Sequence, residues 1–301
     1  MFEAWWNSHF AFRKIMLKLK NQIYYWMNFG AIYSRNTVVQ GKKGYLYERV
    51  YFESYYKNCL NVPPSLNKIK DLENNLNKKG IELFVVFAPQ KAITYFDLIP
   101  LRYRYFLGDS CEYYEKIEDK LQKMGIKVFN SQRLVSKIRE NEKYQPFSKT
   151  GTHWNHYGVG RVIQEIASFF GLENVKIRDV MTKDTPYTTE KDIANLLNLL
   201  IEYKTDEKFY RIVYENIKPL KGKSTIIGNS FSNEFFVEFY LSGLGKDVVR
   251  FENPPFVLKD IDLIKNSKRF IFVYTDIEMV NEESQLYKKV DFLLKHLDKL
   301  D

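Results

Sequence analysis

Twice in the first half of the chain, a polar stretch with helical patterning runs into a glycine and then into a short, nearly unbroken apolar run. Residues 65–79 are the first such stretch, Gly80 follows, and Ile81-Glu-Leu-Phe-Val-Val-Phe87 is the apolar run. Residues 111–124, Gly125 and Ile126-Lys-Val-Phe129 repeat the pattern. A glycine just past a helix tolerates the left-handed backbone that ends it. An apolar run without alternation suits a strand buried on both faces, as in a parallel sheet covered by helices.

The second half keeps this grammar. A helix is expected over 156–170, stopped by Gly171. A short strand follows at 225–227, then a helix from about Ser232, strands at 248–251 and 270–274, and an amphipathic helix over 283–299. The fold class is therefore α/β, with a central, mostly parallel sheet flanked by helices. The 301 residues suffice for one large domain. We place it over residues 38–301, entered through the glycine-bounded turn Gly41-Lys-Lys-Gly-Tyr-Leu-Tyr47. Residues 1–37 read as an N-terminal amphipathic helical stem. Its helix, over 12–27, has an apolar stripe of Phe12, Ile15, Met16, Leu19, Ile23, Trp26 and Met27, flanked by Arg13, Lys14, Lys18 and Lys20. Such a helix fits a membrane surface or the flank of its own domain, and the sequence leaves both open.

Charge narrows the partners. The formal net charge is +9, which admits nucleic acid, an anionic membrane surface or an acidic polymer. The basic residues are scattered and match no nucleic-acid module, so nucleic acid is excluded as a partner. Cys59 and Cys111 fall in no metal-binding spacing, and whether they pair is not readable from sequence. No metal site and no cofactor is expected. No run of residues is apolar enough to span a bilayer. The early aromatics Phe2, Trp5, Trp6, Phe10 and Phe12 suggest an ectodomain whose anchor lies outside this chain.

In open parallel sheets, ligands bind beyond the carboxyl ends of the strands. Three segments qualify. Gly228-Asn229-Ser230-Phe231-Ser232 follows an apolar strand and leads into a helix, an arrangement that lifts a hydroxyl clear of the sheet beside helix N-terminal amides. Taken alone, Ser230 or Ser232 reads better as a plain helix cap. Thr150-Gly151-Thr152-His153-Trp154-Asn155-His156 holds two of the four histidines, the others being His9 and His296. A serine needs a base to take its proton, and His153, in a polar, turn-rich setting, suits that task. Asn155 reads as the cap of the helix that His156 starts. Lys91, after the strand that ends at Phe87, is a candidate for a polar substrate group or a solvated lysine. Gly108-Asp109-Ser110 imitates an esterase tripeptide, but no strand delivers it, so it reads as a helix cap.

These motifs together resemble the extracytoplasmic alginate O-acetyltransferases of the AlgJ and AlgX type. The resemblance rests on Phe2–Arg13, Gly41–Tyr47, Phe87-Ala-Pro-Gln-Lys91, Thr150–Gly158, Lys191-Asp-Ile-Ala194 and Gly228–Ser232, taken in order. It implies an SGNH-hydrolase-like fold with permuted motif order and a Ser-His-Asp triad, with the acid two residues before the histidine. His153 and Ser230 match, whereas the acid position is Gly151; Asp192 is one substitute. Asn229, Lys91, Trp154 and Asn155 then form the oxyanion or substrate neighbourhood. The resemblance further implies O-acetylation of a cell-surface or exported polysaccharide, an acetyl donor delivered by an integral membrane O-acyltransferase, and an extracytoplasmic, membrane-anchored location. Two alternatives stay open: an acetyl esterase on the same polymers, and a catalytically impaired sugar-binding scaffold, which the missing acid at Gly151 and the high aromatic content motivate.

Overall fold

The computed structural model describes residues 12–27, 31–32, 38–52, 63–107, 113–172, 175–187, 189–215, 219–252 and 256–300. Five parallel strands form its central sheet: β4 (Glu82–Phe87), β5 (Lys127–Asn130), β8 (Lys223–Gly228), β9 (Val248–Phe251) and β10 (Ser267–Tyr274). Their spatial order is β5-β4-β10-β8-β9, so the last strand of the chain lies at the centre. Two smaller antiparallel sheets accompany it. One joins β1 (Ala31–Ile32), β2 (Val38–Gln40) and β3 (Leu46–Glu48), and the other pairs β6 (Ile177–Lys183) with β7 (Phe209–Tyr214).

Alternation along the central strands explains the apolar runs. Phe84 and Val86 of β4, with Ile271 and Val273 of β10, enter one core. Leu83, Val85 and Phe87, with Phe270, Phe272 and Tyr274, enter the core on the opposite face. The first face is covered by α7 (His156–Phe169) through Val159, Val162, Ile163 and Ile166, and by α9 (Ser232–Leu241) through Phe235 and Phe239. The second is covered by α2 (Leu66–Lys78), α5 (Tyr113–Lys123) and α12 (Gln285–Lys295). Each such buried aliphatic side chain contributes about 1.5–3 kcal/mol of transfer free energy. The two helix stops behave as their glycines imply, with φ of +69° at Gly80 and +80° at Gly125.

Several features were not legible in the pattern. They are the antiparallel pair of a largely exposed β6 with a buried or half-buried β7, and α6 (Ser131–Asn141), which follows β5 directly. Neither carries an apolar run of the kind that marked the central sheet. The stem helix, α1 (Arg13–Trp26), forms over nearly the expected span. No helix among the described residues is long and apolar enough to cross a membrane. Cys59, Cys111 and the tripeptide at residues 108–110 lie outside the described residues, as does the segment before Phe12.

Candidate active site

Three strand ends meet at the carboxyl edge of the sheet. β8 leads into Asn229 and Ser230, β4 into Gln90 and Lys91, and β10 into Asp276. Gln90 joins two of these ends, since its side-chain amide donates to Asp276 Oδ1 and its backbone N–H donates to Gln132 Oε1 at 2.8 Å.

Ser230 sits in a turn closed by its neighbours. Phe231 N–H donates to Asn229 Oδ1 at 3.1 Å, and Ser232 Oγ donates to Asn229 O at 2.7 Å. Helix α9 begins at once, with Phe231 at its cap position and no side chain capping it. Ser230 is therefore not a cap; it is exposed, and its Oγ lies 2.8 Å from His153 Nε2. A Cβ on Gly228 would clash with Ser232 of α9 and lie 2.5 Å from Val273 O of the neighbouring strand β10. Behind the turn, the buried Lys289 of α12 donates to Gly228 O at 3.1 Å.

His153 comes from the loop between α6 and α7, outside the sheet. Its Nδ1 lies 2.8 Å from Asp192 Oδ2. Asp192 opens the short helix α8 (Asp192–Leu196), and its other oxygen accepts from Thr152 N–H at 2.8 Å and Ile193 N–H at 2.7 Å. The carboxylate is thus held on both oxygens and aimed at the ring. The two segments are stitched together further: Ser148 Oγ and Thr150 Oγ1 both donate to Glu190 O, and Ala194 N–H donates to Thr150 O.

This stitching explains the departure at Gly151. A Cβ there would lie 2.7 Å from Thr189 O and 2.8 Å from Glu190 Cα. The backbone that brings in Asp192 occupies the space an acid at 151 would need. In place of an acid at 151, the structure sets the Asp192 carboxylate against the His153 ring.

Electrostatics bias the histidine. Burial would lower the His153 pKa, but the hydrogen bond to Asp192 and the charges of Glu234, Asp192 and Glu48 outweigh it, so the pKa is raised. Glu48, at the end of β3, accepts from Thr152 Oγ1 at 2.6 Å, and its own carboxyl is raised by burial. The sequence reading passed over Glu48, Thr152 and Lys289, because nothing in their local patterns sets them apart from ordinary polar residues.

The remaining candidates are mostly supports. Lys91 is buried and does not reach into open solvent; its ammonium donates to Lys149 O at 2.9 Å and Gly151 O at 2.8 Å, over the rings of Tyr45 and Tyr47. Burial lowers its pKa to about 7 against the pull of Glu207, Asp192 and Glu48. Trp154 is fully buried and donates from Nε1 to Phe231 O at 2.9 Å, tying the histidine loop to the serine turn. Asn155 caps α7 by accepting from Gly158 N–H at 2.8 Å, as its type prefers. His156 contacts the buried Glu238 of α9 at 2.9 Å. Asn229 alone keeps donors near the nucleophile: among the described residues, neither its side-chain NH2 nor the Ser230 N–H has a protein acceptor. A narrow pocket adjoins the site, bordered by the chain neighbours Thr152, Ile193 and Phe231 together with Glu48, Gln90 and Lys91. Among the described residues, no group of three or more His, Cys, Asp or Glu side chains is placed to hold a metal ion.

Comparison with known proteins places this arrangement in context. The family model described as "SGNH hydrolase-like domain, acetyltransferase AlgX" matches residues 38–255. The O-acetyltransferase domain of Pseudomonas putida AlgJ is similar in structure, with 16% identity, a TM-score of 0.54, and 88% of this chain and 99% of that one covered. Pseudomonas aeruginosa AlgX aligns at 17% identity and a TM-score of 0.56, over 84% of this chain and 67% of that one. Bacillus cereus PatB1 aligns at 13% identity and a TM-score of 0.53, over 81% and 97%. These solved structures share the fold; a search of curated proteins finds no match.

Proposed function

Because this chain belongs to the AlgX family of SGNH-hydrolase-like acetyltransferase domains, we propose that it transfers acetyl groups to sugar hydroxyls of a cell-surface or exported polysaccharide through an acyl-enzyme on Ser230. The single observation that carries this reading is the placement of His153, 2.8 Å from both Ser230 Oγ and Asp192 Oδ2.

In this mechanism His153 Nε2 accepts the Ser230 proton as Oγ attacks the acetyl carbonyl of the donor. Asp192 holds the Nδ1–H tautomer and stabilises the imidazolium that forms. The negative charge on the carbonyl oxygen is met by the Ser230 N–H and the Asn229 side-chain amide, both without a protein acceptor among the described residues. The imidazolium returns its proton to the donor's leaving oxygen. A sugar hydroxyl then attacks the acyl-enzyme, with His153 as base again, and Ser230 recovers its proton as the acetylated sugar leaves. The exposure of Ser230 fits a large polymeric acceptor. By the family's logic, the chain works outside the cytoplasm, and an integral membrane O-acyltransferase supplies the acetyl group.

The same exposure admits water, so hydrolysis of polysaccharide acetyl esters is the second reading. The experiment is acetyl transfer from an activated acetyl ester, with and without an oligosaccharide acceptor. Acetylated oligosaccharide is the expected product, and free acetate alone supports the esterase. If Ser230→Ala and His153→Ala both retain wild-type rates, the serine mechanism is wrong.

A further inference from the structure

Helix α1 is docked with its polar side inward. Asn21 and Gln22 are its buried residues. Asn21 Nδ2 donates to Leu197 O at 3.1 Å, Gln22 Oε1 accepts from Ile201 N–H at 3.0 Å, and Tyr25 meets Tyr203 edge to face. The apolar stripe is left outside: Trp26 is 63% exposed, Met27 58%, Met16 56% and Ile15 50%. A helix that packs on its own domain ordinarily buries such a stripe, because each apolar side chain left in water forgoes its transfer free energy.

The exposed apolar surface does not stop at the helix. Gln22 joins α1 to the loop after α8, where Leu200 and Ile201 are also exposed, the latter at 57%. That loop leads directly back to Asp192. The helix carries four basic residues, Arg13, Lys14, Lys18 and Lys20, and no acidic residue between positions 13 and 27. Lys20 lies beside the stripe, over the ring of Tyr24.

We infer that this face, formed by the α1 stripe with Leu200 and Ile201, docks on an anionic lipid bilayer surface. An apolar stripe flanked by four basic residues, with the neighbouring Glu202 paired to Lys191, matches the interface of a membrane with acidic headgroups, where rings and aliphatic chains enter the acyl boundary and ammonium groups meet phosphate. A second copy of the chain packed helix to helix would set the four basic residues of one α1 against those of the other, which disfavours it. Docking in this way holds the Asp192 side of the site at the membrane, independently of which acyl acceptor the site uses.

The test is flotation of the full chain with phosphatidylcholine vesicles, with and without phosphatidylglycerol. The chain is expected to float with phosphatidylglycerol vesicles and to be released as salt rises to about 0.5 M, where surface charge is screened. The double variant Ile15→Ser/Trp26→Ser replaces exposed residues. It should keep the wild-type thermal midpoint yet partition about tenfold less or weaker still, and Lys20→Glu should lower binding several-fold. The inference is overturned if the wild type ignores anionic vesicles or if the double variant binds as well as the wild type. It is equally overturned if sedimentation shows a dimer that the double variant dissolves while vesicles go unbound.

Discussion

Asp192 reaches His153 Nδ1 at 2.8 Å from a different segment of the chain, the first turn of α8, and not from the histidine's own loop. Thr152 N–H and Ile193 N–H hold its second oxygen, so the carboxylate has little freedom to turn away. The reach of that one side chain closes the line Asp192–His153–Ser230, and the predictions below follow from it.

Asp192→Asn preserves shape but removes the charge that stabilises the imidazolium, and it invites the wrong histidine tautomer. The expected result is a fall in kcat of about a thousandfold or more, with KM little changed. Steady-state kinetics on an acetyl ester measure it, and a near-wild-type kcat would remove Asp192 from the mechanism.

The pH profile carries the sign of the His153 shift. The group is raised, so the imidazolium persists above the ordinary value of about 6.5, and the neutral base appears only at higher pH. The kcat/KM profile should therefore fall on the acid side with a midpoint above about 6.5. Asp192→Asn, which deletes a raising influence, should move that midpoint down. Stability runs the other way: the contribution of a raised histidine is full below its unfolded value and lost as pH rises through the folded one.

Gly151→Ala places a methyl against the Thr189–Glu190 backbone, which brings in Asp192. The conflict is with backbone and cannot be relieved by a rotamer. A loss of about 1–3 kcal/mol is expected, seen as a lowered thermal midpoint, together with reduced kcat. Gly151→Asp should be worse and should not restore a triad, because the acid place is already filled.

Lys91→Met keeps the stem beside Tyr45 and Tyr47 but leaves the Lys149 and Gly151 carbonyls without their shared donor. Lys149 O keeps the Leu46 N–H at 2.9 Å, so the buried Gly151 carbonyl is the acceptor left unpaired, at a cost of about 1–3 kcal/mol. Loosening of the histidine loop should appear in kcat more than in KM. If Lys91 instead bound substrate directly, KM would rise and the thermal midpoint would stay near the wild-type value.

Much of this protein was determined by sequence alone, because the information is local. An apolar run bounded by a helix and a glycine can be buried on both faces in few ways other than as a parallel strand, and β4 and β5 follow from that. A serine after such a strand and a histidine in a turn-rich loop stand out by their immediate neighbours. The N-terminal helix was equally legible, since its stripe repeats with helical spacing. Tertiary structure alone decided the rest. Which carboxylate faces His153 depends on how the 189–194 segment lies against the 148–152 loop, and local pattern does not encode that approach. The same holds for Lys91, whose buried ammonium serves two carbonyls, and for α1, whose polar residues and not its stripe meet the domain. Contacts between segments distant in the chain are set by packing, and packing assigns each of these groups its partner.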